Sequence, residues 1–464
     1  MLRKAWNANN SNDQAARGYP VCIAQLCSRS LADLFAARDL ARLTHALPRI
    51  MRTSVLLPLL VGALIGLPTT QVEAAPAALP DYLDFQLQAR SGIGPGFNLP
   101  PGASINSASV DLNDAGRVAV RVALPTGIPG DDFTRHLFVG DNGAGYVVSE
   151  GPTGSLVSDP RVAPNGIVWF AANFDGGNAL AGIYRYDAND QSTVRVTALP
   201  VGTTFYEFPR GNGLGQIGYR ASFGNVKAWV SYAGGGVQTH AVEPNPYSFV
   251  FTPSFDDNQV IAGKVTMAGT GFNRIITVDN HGGEVILARS SAENANSPYV
   301  SFDNSPTIAP TSGRVAFIAT LAGNVRGVFR YDAPGTIVEI ARTGTQGLGS
   351  IEFFGPAIND DGLVAFRGVD STGKQAIFVG DDSTLRRVIG RGDLIDTDLG
   401  MGQIDQETPG SPAFSGGVAI NAAGDIAFSP TLTPAGNNQI EWGTGVYVAH
   451  AGTQLIHANG FEGN

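Results

Sequence analysis

Ile358 to Phe366 reads INDDGLVAF and Ile420 to Phe428 reads INAAGDIAF, two nearly superimposable stretches. Weaker copies are Leu112 to Val120 (LNDAGRVAV), Val162 to Phe170 (VAPNGIVWF), Gly211 to Tyr219 (GNGLGQIGY), Ser254 to Ala262 (SFDDNQVIA) and Ala309 to Phe317 (APTSGRVAF). The glycine position falls at Gly116, Gly166, Gly215, Asn258, Gly313, Gly362 and Gly424, with steps of 50, 49, 43, 55, 49 and 62. Units of this length match one propeller blade and are too long for one rung of a β-solenoid. Within each copy an Asn can bond its own backbone two residues on, and Gly supplies a left-handed turn residue, a role Asn258 is expected to fill in the fourth. The apolar run after the turn suits a strand buried on both faces.

A second hairpin follows each copy: Leu137 to Ser149, Ile183 to Val196, Trp229 to Val242, Ile275 to Ala288, Val328 to Ala341, Ile377 to Ile389 and Val446 to His457. Each unit therefore reads as four antiparallel strands followed by a Gly/Pro-rich crossover such as Arg342 to Ser350. The expected fold is all-β, a seven-bladed β-propeller of four-stranded blades, which leaves only short strand edges exposed. Leu83 to Ala89 (LDFQLQA) resembles the last strand of a unit and is expected to close the ring beside the final blade.

Composition agrees. Among 464 residues there are 59 Gly and 28 Pro, and only 15% are charged, which starves long helices and favours short strands and turns. The net charge is −10 and the 30 basic residues form no runs, so the basic stripe of a nucleic-acid binder is missing.

Met51 and Arg52 precede the 13-residue apolar run Val55 to Leu67, and Val72-Glu73-Ala74 supplies small residues for cleavage. The pattern is that of an export signal, too short for a membrane span. The expected organisation is an upstream extension at 1–50 arising from a misplaced start, a signal peptide at 51–74, one seven-repeat propeller at 75–457 and a tail at 458–464. Both cysteines, Cys22 and Cys27, precede the signal, so the exported part is held by burial without disulfides. Removing the 8 basic and 4 acidic residues of positions 1–74 leaves 22 and 36, a net of −14.

The repeats resemble a family of exported bacterial proteins described by tandem N-x-x-G-x-x-A-F repeats with various C-terminal anchors. Asn359, Gly362, Ala365 and Phe366, and Asn421, Gly424, Ala427 and Phe428, fill the motif; Asn113, Gly116 and Ala119 match with Val120 in place of Phe. The copies at Gly166, Asn258 and Gly313 lack the Asn. The resemblance implies a secreted, propeller-like repeat protein and no particular activity. The ending IHANGFEG (Ile456 to Gly463) is similar to a short Asn/Asp-Gly-Phe-Glu ending of other exported Gram-negative proteins, either a sorting tag or a frayed last strand.

No constellation of catalytic residues stands out. Gly213, Gly215 and Gly218 spell G-x-G-x-x-G but lead into a strand, where dinucleotide binding needs a helix. Arg391-Gly392-Asp393 spells an adhesion tripeptide, yet Gly392 aligns with Gly92 and Gly344, which favours a turn. Asp111, Asn113 and Asp114 have the alternation of a calcium loop without its downstream carboxylate, so turn stabilisation is the better account. His136, His240, His281, His450 and His457 are dispersed and expected at the surface, mostly in or beside hairpin turns. Acidic residues are plentiful in loops: Asp131, Asp132, Asp256, Asp257, Asp396 and Asp398. Trp169, Trp229 and Trp442 fall on blade strands, where core packing is favoured over sugar stacking. The expected role is an exported, non-enzymatic binder of a polysaccharide, surface component or protein, with no cofactor or metal. The alternative is a propeller hydrolase or lyase acting on a polysaccharide through loop carboxylates. Loss of turnover on single carboxylate substitutions separates the two.

Overall fold

The computed structural model describes residues 79–452 except 93, 106–108, 129–130, 149–155, 174–179, 197–201 and 409. The expected upstream extension, signal peptide and tail lie outside the described residues. The described chain is an all-β, seven-bladed propeller of four-stranded antiparallel blades.

The sixth blade shows the plan. Its inner strand is in two pieces, Leu348–Ile351 and Ala357–Ile358, both paired to the second strand Val364–Asp370. The third strand Gln375–Gly380 and the outer strand Leu385–Gly390 complete it. The motif turn joins inner and second strands. Gly362 has φ +88°, its N–H donates to the Asn359 carbonyl at 3.0 Å, and Leu363 N–H donates to Asn359 Oδ1 at 3.0 Å. The motif Phe explains itself in the register: Phe366 lies opposite Phe378, and the rings stack at 5.7 Å. Phe170–Tyr184, Phe317–Phe329 and Phe428–Tyr447 repeat that stack in the second, fifth and seventh blades at 5.5, 5.6 and 5.8 Å.

The core lies between blades. Seven apolar clusters each join one blade to the next; for example, Val328 and Ile340 of the fifth meet Leu348, Phe366 and Phe378 of the sixth. Trp169 and Trp229 are fully buried in this layer, as expected, and Trp442 packs against the cluster of the last interface. Trp169 reaches so close to the third blade that a Cβ on Gly211 would sit 2.1 Å from its ring.

Two expectations need correction. In the fourth blade the left-handed residue is Gln259 (φ +64°), not Asn258. The register is one residue later because Asp256 takes the place of the motif Asn, accepting Val260 N–H at 2.7 Å. Asn258 Nδ2 is committed to Thr311 O in the next blade at 2.9 Å. In the seventh blade, the chain from Val446 does not turn back at His450-Ala451-Gly452, which belong to the third strand Gly443–Gly452. That strand's outer neighbour is the N-terminal strand Asp81–Arg90, in register from Asp81 opposite Gly452 to Arg90 opposite Gly445. The expected closure by Leu83 to Ala89 is what fills the place, and residues 453–457 lie outside the described residues. The long step before Gly424 holds an extra hairpin, Leu394–Thr397 with Gly400–Ile404. Arg90, fully buried, binds it through a two-pronged pair to Asp398 at 2.7 and 2.9 Å.

Candidate functional site

The seven inner strands line a central channel, and its two ends are built differently. At the narrow end, a cavity of about 110 Å³ is bordered by the motif turns. Besides bonding its own turn, each motif Asn there reaches the next blade. Asn113 Nδ2 donates to Ala163 O, Asn212 to Asp256 O, Asn359 to Asn421 O, and Asn421 to Asn113 O across the ring closure, at 3.1–3.3 Å. The residue after it works in the opposite direction. Asp114 accepts Ala422 N–H, Asp257 accepts Gly213 N–H, and Asp360 accepts the N–H groups of Thr311 and Ser312. The motif is thus glue between blades as well as a turn.

These contacts also account for the calcium-like triplet. Asp111 pairs with Arg161 at 3.2 Å and accepts Val162 N–H at 2.7 Å, Asn113 holds its turn, and Asp114 caps the seventh blade's turn. Among the described residues no group of three or more His, Cys, Asp or Glu is arranged to hold a metal ion.

The wide end opens into a cavity of about 500 Å³. The joints here are ionic. The residue five after the turn position is basic in four blades, and each side chain donates to a carbonyl of the following blade's inner strand. Arg121 reaches Val157 O at 2.9 Å, Arg220 reaches Val250 O at 3.1 Å, Lys264 reaches Phe302 O at 2.8 Å, and Arg367 reaches Gly416 O. In the fifth blade, where Ile318 holds that position, Arg326 on the third strand reaches Glu352 O instead, at 3.3 Å. Acidic side chains balance the bases: Asp159 with Arg121, Glu207 with Arg220, Asp303 with Arg326 and Glu352 with Arg367.

Around this mouth stand Phe205, Phe208, Phe353 and Phe354. Phe353 is 81% exposed, with the Arg326 guanidinium 4.0 Å from its ring centroid. Phe208 sits in a bulge of the third blade's inner strand Phe205–Gly211, between the pairs Glu207 with Arg220 and Arg210 with Gly218, at φ +51°. A bulky residue held in the left-handed region is costly and concentrates at functional positions. Thr252, Ser305, Thr307 and Asn173 add hydroxyl and amide groups to the wall. Between the two cavities, Arg161 and Arg210 line both.

The loop acids do not converge. Asp131 and Asp132 open the third strand of the first blade, Asp256 and Asp257 stand at the narrow end, and Asp396 and Asp398 belong to the extra hairpin. Asp256 is buried, and that burial raises its pKa to about 6. The histidines differ from expectation. His136, His240 and His450 lie half-buried on strands, and only His281 of those described is exposed in a turn. Burial lowers the pKa of His136 and of His240. Arg391 pairs with Asp405 and Asp393 with Arg387, while Gly392 has φ +93°, so the tripeptide is a turn with its charges engaged. His457 lies outside the described residues.

Residues 260–461 match a family model described as a family of unknown function (DUF7453). No curated protein matches the chain. Among solved structures, an oligogalacturonate lyase from Vibrio parahaemolyticus is similar with a TM-score of 0.51 at 9% identity, over 81% of this chain and 98% of that one. The β-propeller domain of the Trilobed protease from Pyrococcus furiosus gives 0.48 at 12% identity, over 75% and 95%. TolB from Acinetobacter baumannii gives 0.40 at 13% identity, over 59% of this chain and 63% of that one, so the chain spans less than two thirds of its length. At these identities the likeness is one of fold, and fold does not carry activity. No helix of the described residues is long and apolar enough to cross a membrane.

Proposed function

We propose that the protein is an exported, non-enzymatic propeller that binds its ligand in the wide mouth of the channel. Export rests on the apolar run Val55 to Leu67 with its cleavage-like ending, which also motivates a signal peptide at 51–74 after an upstream extension. The tandem motif supports kinship with the exported N-x-x-G-x-x-A-F repeat proteins. A partner of saccharide, surface-component or protein type fits a mouth with exposed phenyl faces and hydroxyl-lined walls.

One observation carries the preference for binding over catalysis: the acidic side chains at the wide end, Asp159 and Glu207 in the cavity wall and Asp303 and Glu352 outside it, are engaged by basic ones. Asp159, Glu207, Asp303 and Glu352 each face an arginine within 3.5 Å, and Asp111 at the waist faces Arg161 at 3.2 Å. A carboxylate whose oxygens are occupied by an arginine is not free to reach a substrate proton, which a general base must do.

The test is thermal unfolding of the purified protein against a panel of polysaccharides, with product analysis on any that shift the midpoint. A ligand bound only by the folded state raises the midpoint, and Phe208→Ala with Phe353→Ala should remove the shift. Turnover of a bound polymer that disappears in Asp159→Asn or Glu207→Gln, with the fold intact, would transfer the assignment to a hydrolase or lyase.

A further inference from the structure

The waist of the channel carries a charge that the rest of the ring does not match. Two residues before the motif Asn position, or three in the fifth blade, whose turn is one residue longer, the inner strands present Asp111, Arg161, Arg210, Ser254, Thr307, Ala357 and Ala419 in ring order. Asp111 is committed to Arg161 and to Val162 N–H. Arg210 makes no ion pair or side-chain hydrogen bond among the described residues, although Arg161 stands on the adjacent blade and lines the same two cavities. The positions completing the ring are small, which leaves room opposite the two guanidinium groups. Burial and the charge of Arg161 pull the pKa of Arg210 down to about 10, still far above neutrality, so the side chain stays charged at physiological pH. Asp111 offsets part of this, but it is already paired with Arg161, so a second guanidinium without its own ion pair weakens the fold unless something else uses it.

We propose that this waist is an oxyanion site and that the ligand of the wide mouth is an acidic saccharide, its carboxylate seated on Arg210 beside Arg161. The proposal rests on the binding reading given above and names its ligand class. A guanidinium presents paired N–H donors that match the two oxygens of a carboxylate. The sugar ring then lies in the mouth, its apolar face against Phe208 or Phe353 and its hydroxyls toward Thr252 and Ser305. Among saccharides the site prefers an acidic unit to its neutral counterpart.

Calorimetry and thermal unfolding of the purified protein at low salt test this with D-glucuronate, glucose, inorganic phosphate and a neutral glucan. Glucuronate should bind at least about tenfold more tightly than glucose, with affinity falling as salt rises. Phosphate, which has the charge but no ring, should bind more weakly than glucuronate. Arg210→Gln should lose about tenfold or more of the glucuronate affinity, and Arg210→Lys should recover part of it. Without ligand, Arg210→Gln should raise the unfolding midpoint by about 1–2 °C, because it removes the repulsion between two neighbouring guanidinium groups. Equal binding of glucose and glucuronate, or unchanged glucuronate binding by Arg210→Gln, would overturn the oxyanion site. So would a fall in the ligand-free midpoint, which would make Arg210 a structural residue. Binding of the neutral glucan by wild type and Arg210→Gln alike, without any response to glucuronate, would defeat the inference and spare the binding reading. Silence from every saccharide would remove both.

Discussion

The two ends of the channel solve the same problem, joining one blade to the next, with different chemistry. At the narrow end the joints are built on a repeated amide: Asn113, Asn212, Asn359 and Asn421 each bond their own turn and a carbonyl next door, with the carboxylates Asp114, Asp257 and Asp360 and the arginines Arg117, Arg314 and Arg330 added around them. At the wide end the joints are charged and vary from blade to blade, with Arg121, Arg220, Lys264 and Arg367 in one column and Arg326 standing in from another strand. A short Asn fits a closed turn where backbone groups lie within one bond of it. A long guanidinium suits the wider opening, where it spans the gap and holds its own carboxylate. The difference teaches that the repeated end is scaffold and the irregular end is free to carry a site, with Phe208 bulged and Phe353 exposed only there.

The ionic joint at the sixth blade should give the largest effect. Arg367 is buried, binds Glu352 at 2.7 Å and also reaches Gly416 O, so Arg367→Ala leaves the Glu352 carboxylate with the Gln375 amide but no cation, and takes a donor from the Gly416 carbonyl. We expect a loss of about 3 kcal/mol in denaturant unfolding. A change below about 1 kcal/mol would mean the wide-end clasps are ornamental.

Asn421→Ala tests the narrow end at the ring closure. It removes the part-buried acceptor for Asp425 N–H and the buried donor to Asn113 O, for an expected loss of about 2–3 kcal/mol. The same substitution should leave ligand affinity in the wide mouth unchanged, which calorimetry would check.

Asp256→Asn repairs the one blade whose turn carries a carboxylate in place of the amide. Burial raises Asp256 from 3.8 to about 6, so the folded state holds this proton more tightly than the unfolded chain. Its stabilising contribution is complete below the unfolded value and is lost as pH rises through the folded value near 6. Asn, as in four other blades, should therefore stabilise the protein by about 2 kcal/mol above pH 7, with the gain fading toward pH 4. Urea unfolding at several pH values measures it, and a gain that does not depend on pH would point to packing rather than titration.

Phe353→Ala should have the smallest effect on stability, within about 0.5 kcal/mol, because the ring is already in water. Its effect belongs to binding, as a weaker response to whatever saccharide shifts the wild type. A large loss of stability would erase the contrast between a scaffold end and a free end.

Much of the ring was readable in advance because each blade repeats one local pattern. The turn of Asn359 and Gly362 and the apolar run to Phe366 are set by neighbours within a few residues, and their recurrence sets the number of blades. The one-residue shift at Gln259 escaped because Asp256, Asp257 and Asn258 offer three side chains able to cap the same turn. The basic column Arg121, Arg220, Lys264 and Arg367 lay in the sequence at a constant offset from the turn, but Ala171, Ile318 and Ser429 interrupt it. Arg161 and Arg210 share a ring with Asp111, Ser254 and Thr307, a column without common chemistry that no periodicity reveals.

The sequence by itself determined the seven four-stranded units, their tight turns and the N-terminal strand that completes the last one, since these follow from local backbone preference and alternation of apolar residues. Only the tertiary structure decided that the motif Asn reaches into the next blade, that the wide-end carboxylates are held by arginines, and that Arg210 stands at the waist beside Arg161 without an ion pair of its own among the described residues. Such facts depend on which residues, some 50 or even 308 apart in the chain, the closed ring brings within a few ångströms.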